Sequence, residues 1–461
     1  MKLRGLRFLT VACLIACLTI ASFPVQATEP PQGKETFTFG KADLDLLEQA
    51  NLLDVKLDKE GLVYNDRELE DYINRIGQSL LPLSAPPEHV TWRFRVLRDP
   101  LGNAFALPNG SIYVNSGLLA LFENESQLAG VLAHEITHVR NWHSYLTNRS
   151  VRKKALTINL LALVSAFTPY NTVGTVITLV AAVSQQLLVF SMFGYSRELE
   201  READAYAANR LVESKYDSRE LAAAFTLMKK DFEGENFEAK MLYRDHDKLD
   251  DRIKDVNQIV GNRSVLSADE VKAQRERYFA ATEKVARHNT QLAIDARRFR
   301  TAIAMSEKLV AGHPSAENLA VLADAYRLTG PRSATLTEEE RSGKGKKEMQ
   351  KLRQKMTLNE EENTLLATPI GQATRLDNQR KAEELYQKAL ALDAANAKAH
   401  LGLGLLYETM GKPQKAAAEL RRFLELEPGS VERQRIQRRI EALEKSGAEN
   451  STGSGSDRLK K

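Results

Sequence analysis

The sequence predicts a mainly α-helical chain with one small antiparallel β-sheet in its first half and an α-helical solenoid in its second. Three observations carry this reading. Apolar residues recur at three- and four-residue spacing over most of the 461 residues, the period drops to two between Trp92 and Asn115, and beyond about residue 265 an apolar pattern returns after 34 residues.

Composition bounds the rest. With 43% hydrophobic and 27% charged residues, 14 Pro and 25 Gly, the chain is neither disordered, collagen-like nor a multi-span membrane protein. Its length holds two or three domains of ~100–200 residues each. Lys2, Arg4 and Arg7 supply three charges of the net +4, and no basic stripe with interleaved aromatics follows, so no nucleic-acid partner is expected.

The chain opens with a basic stretch (1–7), an apolar run (8–20) and small residues ending Val25-Gln26-Ala27, the three parts of a secretory signal peptide over 1–27. Both cysteines, Cys13 and Cys17, lie within it, so a mature chain starting at Thr28 has no thiol. A second reading stays open: Leu14-Ile15-Ala16-Cys17 has the form of a lipobox, which would keep Cys17 as a lipidated first residue.

Residues 28–40 read as an extended lead-in. Leu44, Leu47 and Leu52, then Leu69, Tyr72, Ile73 and Ile76, mark two amphipathic helices before Gly77, and prolines between 82 and 87 end that unit. Trp92, Phe94 and Val96 begin the sheet, and Pro108-Asn109-Gly110 between two β-prone runs signals a hairpin. Asn124 with Gln127 resembles a capping box opening a helix through Leu128, Val131, Leu132 and Val139. The apolar stretch 155–193 is broken at 168–171, and two readings of it stay open: buried core helices, or a membrane-facing hairpin dipping into an interface.

In the second half Ala382, Tyr386, Ala389, Leu390 and Leu392 recur as Ala416, Leu420, Phe423, Leu424 and Leu426, with His400, Leu403, Gly404, Tyr407 and Gly411 between them. This is a tetratricopeptide pattern, with a weaker copy at Ala302, Leu309, Leu322, Ala323, Tyr326 and Gly330. A charged insertion near 331–378 interrupts the series, and 447–461 reads as a disordered tail.

The chemistry sits at His134-Glu135-Ile136-Thr137-His138. On a helix, positions i and i+4 share a face, so His134 and His138 converge on one metal ion while Glu135 reaches a water beside it: the pattern of a zinc hydrolase. A catalytic zinc needs a third protein ligand. An extended motif would place Gly at 141 and His at 144, where Asn141 and Ser144 stand; His143 is one residue off register and is read as surface polar. The alternative is a carboxylate on a second helix. Glu200 and Asp204 face one way at i, i+4, so Glu200 ligates and Asp204 accepts from a ligating imidazole. Glu213 and Asp217 share the spacing but approach a helix end, and Glu198 lacks an Asp four residues on. Glu135 is then the general base. The fold class becomes an HExxH gluzincin-type metalloprotease domain at 28–265, followed by a tetratricopeptide-like domain at 266–446.

These two helix motifs, the sheet segment Asn103-Ala104-Phe105-Ala106-Leu107-Pro108, the leader and the carboxy-terminal repeats resemble the BepA-type periplasmic proteases, of the peptidase family that also holds the HtpX heat-shock protease and the CAAX prenyl proteases. The resemblance implies one Zn2+ per chain and binding of substrate backbone along the strand Asn103, Ala104, Phe105, Ala106 and Leu107. It implies a transition-state role for Arg252, and for His246 a fourth, regulatory metal contact; Asp247 stands where the family commonly has Pro. It implies a periplasmic location in a Gram-negative bacterium, associated with the outer membrane, and quality control of outer-membrane β-barrel proteins. Stalled or unfolded barrel proteins would be the substrates, with the barrel-assembly machinery docking on the repeats. The alternative is chiefly a chaperone or scaffold whose zinc site His246 caps, or a lipid-anchored form of the protease. The charged insertion has no counterpart in the resemblance.

Overall fold

The structure, a computed structural model, describes residues 37–153, 195–234, 246–261, 266–296, 298–333, 363 and 365–453. The leader, Cys17, residues 155–193 and most of the charged insertion lie outside them. The unit from Lys41 onward is built of helices around one three-stranded sheet.

Helices α1 (Lys41–Lys59) and α2 (Arg67–Ser79) come first. Asp66 caps α2 by accepting from the Leu69 amide, and Leu69, Tyr72, Ile73 and Ile76 form its buried face. The helix runs on past Gly77 to Ser79, and that glycine makes room for the Phe94 ring: a Cβ there would lie 2.5 Å from it.

Strands β1 (Arg93–Leu97), β2 (Ala104–Ala106) and β3 (Ser111–Asn115) follow in the order β1-β3-β2. The expected hairpin is β2–β3, closed at Gly110, whose φ of 95° is open to glycine and costly elsewhere. The sheet is mixed, not antiparallel: β3 lies between its neighbours and pairs with β1 in parallel, Phe94 opposite Ile112 and Val96 opposite Val114. A two-residue period fixes which side chains share a face and says nothing about strand direction. Both faces are covered. Phe94, Val96, Ile112 and Val114 enter the main core, whereas Phe105 and Tyr113 stack at 5.3 Å on the other side with Ala50, Leu53 and Leu57 of α1.

After α3 (Ser116–Leu121), Asn124 caps α4 (Glu125–Arg140) by accepting from the Gln127 amide, while Gln127 accepts from the Glu123 amide. The predicted box is there, one residue wider on its return arm. α5 (His143–Lys153), α6 (Arg197–Glu213), α7 (Arg219–Gly234) and α8 (His246–Val260) complete the body. Ala203, Ala207, Ala208 and Leu211 bury the small-residue face of α6 in the core beside α4.

α9 (Ala268–Asp295) starts from a full capping box at Ser267 and Glu270. Its Tyr278 and Val285 join the body's core, and its end, Ala293 and Ile294, packs with Phe299, Ala302 and Ala325. The repeat helices are α10 (Phe299–Gly312), α11 (Ala316–Thr329), α12 (Pro369–Leu392), α13 (Ala397–Thr409) and α14 (Pro413–Leu426), closed by α15 (Arg433–Gly453). Ala382, Tyr386 and Ala389 are buried in the same cluster as Ala416, Leu420 and Phe423, as the 34-residue register requires, but Leu392 is exposed.

Two boundaries differ from expectation. The insertion falls inside a helix pair: Tyr386 of α12 donates to Asp324 of α11 and accepts from Arg327, and residues 369–378 are already helical. At the end, 447–453 continue α15 instead of beginning a disordered tail. Among the described residues no helix is long and apolar enough to cross a membrane.

Candidate metal centre

α4 is buried along nearly its whole length, from Glu125 to Val139, so its polar residues need partners inside the protein. His134 and His138 lie one above the other and α6 crosses beside them. The Nε2 atoms of the two rings are 2.9 Å apart, and the Glu200 carboxylate oxygens lie 3.6 Å from His134 Nε2 and 3.7 Å from His138 Nε2. The three donors fall within 4.8 Å of one another. A tetrahedral zinc at ~2.0–2.1 Å from each would set donors about 3.3 Å apart. Separations on both sides of that value, from two imidazoles and a carboxylate, fit the ion that the motif implies.

Behind His134, Asp204 lies 2.9 Å from Nδ1 and is fully buried. Burial alone would raise the Asp204 pKa, but Arg252 and His134 outweigh it and hold the carboxyl at about 2. Arg252, from α8, grips Asp204 with Nε and Nη2, both at 2.8 Å, reaches Glu200 with Nη1 at 2.9 Å, and lies 4.2 Å over the Phe225 ring. The guanidinium is thus held by both carboxylates that serve the site. Burial pushes Glu135 up to about 7, and its carboxyl accepts from the Ala106 amide of β2.

Hydrogen bonds Leu107 N to Ser111 O and Asn115 N to Asn103 O show that alternate residues of this strand turn inward to β3. Ala104 and Ala106 therefore direct their backbone groups to the sheet's edge, where Glu135 stands. Phe105 points into the α1 core and Leu107 is fully buried. His246 opens α8, and its side chain lies outside the described residues. Glu213 ends α6 and pairs with Arg210, and Asp217 pairs with Arg219, so neither joins the site.

Two residues near the donors escaped the sequence reading. His143 is not surface polar: it is 1% exposed and its Nδ1 lies 2.9 Å from His138 Nδ1. Tyr195 stacks on the His138 ring at 3.8 Å and shares a hydrogen bond with Ser144. Burial takes His138 well below its usual pKa, which keeps a lone pair on the ring. His143 lies five residues after His138, a spacing that identifies no ligand; Tyr195 adjoins Ser196, the cap of α6, and only the fold brings it to the ring.

Comparison with known proteins agrees with this geometry. Residues 67–260 match peptidase family M48. A Vibrio cholerae protein assigned as a beta-barrel assembly-enhancing protease is 30% identical over 198 residues, 42% of this chain and 39% of that one. The beta-barrel assembly-enhancing protease of Escherichia coli is 32% identical over 144 residues (30% and 29% of the two chains), and mitochondrial metalloendopeptidase OMA1 of Schizosaccharomyces pombe 31% over 150 residues (31% and 40%). The chain spans less than half the length of each. Among solved structures, a chain of the APC/C hetero-tetramer Cut9-Hcn1 aligns with 71% of this chain and 58% of its own at 12% identity and a TM-score of 0.22, too slight a likeness to bear on the fold. Residues 67–260, where two histidines of the HExxH helix α4 and a glutamate of α6 meet at one point, are thus similar to peptidase family M48.

Proposed function

We propose that the chain is an exported zinc endopeptidase that cuts polypeptide held in extended form along β2, in periplasmic quality control of outer-membrane β-barrel proteins. The observation that carries the catalytic part is the meeting of the His134, His138 and Glu200 donors with Glu135 at a sheet edge where Ala106 offers backbone groups. Zinc held by these residues supplies Lewis acidity toward a peptide carbonyl and a water molecule. Glu135 takes the proton from the attacking water and delivers it to the leaving amine as the C–N bond breaks. Asp204 holds the Nδ1 proton of His134, so that Nε2 faces the metal, and Arg252 fixes Asp204 and Glu200 in place. A substrate strand pairs with the outward groups of Ala104 and with the Ala106 carbonyl, the Ala106 amide being held by Glu135.

The β-barrel part rests on the names of the bacterial relatives and on the expected leader; in this reading the repeats dock the assembly partner. The test is zinc content and cleavage of casein and of an unfolded outer-membrane barrel protein, for wild type, Glu135→Gln and His246→Ala. Zinc retained in Glu135→Gln with cleavage down about 10²–10⁴-fold is the expected result; unchanged cleavage overturns the role of Glu135. A rise in cleavage confined to His246→Ala would show a capped, chaperone-like resting form.

A further inference from the structure

His143 stands outside both the motif and the donor triad, yet it closes on the site from behind. Trp142 adopts a left-handed backbone (φ 53°) after α4, and the turn starts α5 at His143, delivering the ring to the back of His138. Two Nδ1 atoms 2.9 Å apart form a hydrogen bond only when one of them carries the proton. If His138 offers the lone pair of Nε2 to the metal, its proton is on Nδ1, and His143 Nδ1 is the acceptor. That choice places the proton of His143 on its own Nε2. This atom is buried, has no hydrogen bond at ordinary distance, and lies 3.6 Å from Glu202 Oε2. Glu202 is in turn bonded by the Asn141 side chain and sits two residues from Glu200 on the helix that brings the third donor.

We propose that His143 is the positioning residue of the second metal ligand. His138, His143 and Glu202 form a chain that fixes the tautomer of His138, as Asp204 does directly for His134. The two ligands then differ in kind: a carboxylate backs one, and a neutral imidazole backed by a carboxylate backs the other. This inference rests on the zinc reading above.

The experiment is zinc affinity by chelator competition on the full chain carrying Glu135→Gln, with the melting temperature of the metal-free form recorded for each variant. His143→Ala is expected to weaken zinc binding about 10–100-fold. His143→Asn, whose side-chain oxygen can take the place of Nδ1 as acceptor, is expected to recover most of that loss. Glu202→Gln should weaken binding beside His143 and have no further effect beside His143→Asn. Wild-type affinity in His143→Ala overturns the positioning role, and so does an Asn variant as weak as the Ala variant, which would make ring bulk the cause. Should His143→Ala fail to fold, the Asn and Glu202 variants decide by the same criteria. A wild-type chain that binds no zinc overturns the metal reading itself, whereas zinc bound equally by all variants overturns this inference alone.

Discussion

The helix that carries the metal donors and the helices of the repeat region bury side chains by opposite rules. α4 is enclosed on every side: Glu125, Gln127, Thr137 and both histidines are as hidden as Leu128 or Leu132. α14 hides only Ala416, Ala417, Leu420 and Phe423 and leaves Arg421, Arg422 and Glu425 in solvent. In the body a polar group must therefore find a partner inside the protein. Glu125 meets Arg277 and Tyr72, Ser126 meets Gln274, and Gln127 meets Glu220. In the repeats, cohesion is mainly apolar contact between successive helices, with the Asp324, Arg327 and Tyr386 network as a buried polar exception. The difference shows where one substitution does most harm, and of what kind.

The largest stability effect is expected at Asp204→Ala. It leaves Arg252 facing only Glu200 in a buried setting, and breaking such a pair costs about 3–5 kcal/mol. Denaturant unfolding of the metal-free protein measures it apart from zinc. A cost under about 1 kcal/mol would erase the contrast between body and repeats, since that is the range of exposed pairs.

Leu420→Ala removes a fully buried side chain of the repeat cluster and costs about 2–5 kcal/mol, felt locally, because stacked repeats touch only their neighbours. Hydrogen exchange should rise across α13, α14 and α15 while protection of α4 and the zinc affinity stay unchanged. Loss of zinc binding in this variant would show the two regions to be one cooperative unit.

Gly402→Ala is the next step down, at about 1–3 kcal/mol. Its Cβ would lie 2.3 Å from the Tyr386 hydroxyl, which Asp324 accepts from and Arg327 donates to, so the ring cannot swing away freely. Thermal melting checks it. Pairing with Tyr386→Phe separates steric from polar cost: if the hydroxyl is the obstacle, Gly402→Ala is milder in the Phe background.

The same contrast explains what could be read from the sequence. Half-exposed helices display their period, so the register from Ala382 to Ala416 was visible, and so were Leu69, Tyr72 and Ile76. α4 was found by its cap and by its histidines, since a helix buried all round has little pattern to show. The carboxylates at 200 and 204 were legible because a ligand and its outer partner at i, i+4 must share a face. His143 was not, because five residues after His138 is a spacing that fits no ligand register; its place behind His138 depends on the left-handed turn at Trp142. The parallel pairing of β1 with β3 was hidden for a related reason: alternation is the same in either direction. The grip of Arg252 on Asp204 and Glu200 joins three helices that no local pattern connects.

The smallest effect sharpens the comparison most directly, because it uses the same chemistry as the first. Arg422 and Glu425 pair at 2.7 Å, as close as Arg252 and Asp204, but their side chains are 48% and 62% exposed where those of Arg252 and Asp204 are 19% and 0%. Water already solvates both charges in the repeat pair, so its removal takes away a screened attraction and leaves nothing stranded. Arg422→Ala should cost no more than about 0.2–0.5 kcal/mol, the range of exposed pairs one turn apart. The residue should also lose its salt dependence: wild type and variant converge as ionic strength rises, while Asp204→Ala stays well below wild type at any salt. A large, salt-independent cost at Arg422 would mean that its helix face is covered in the folded protein, as that of Asp324 and Arg327 already is.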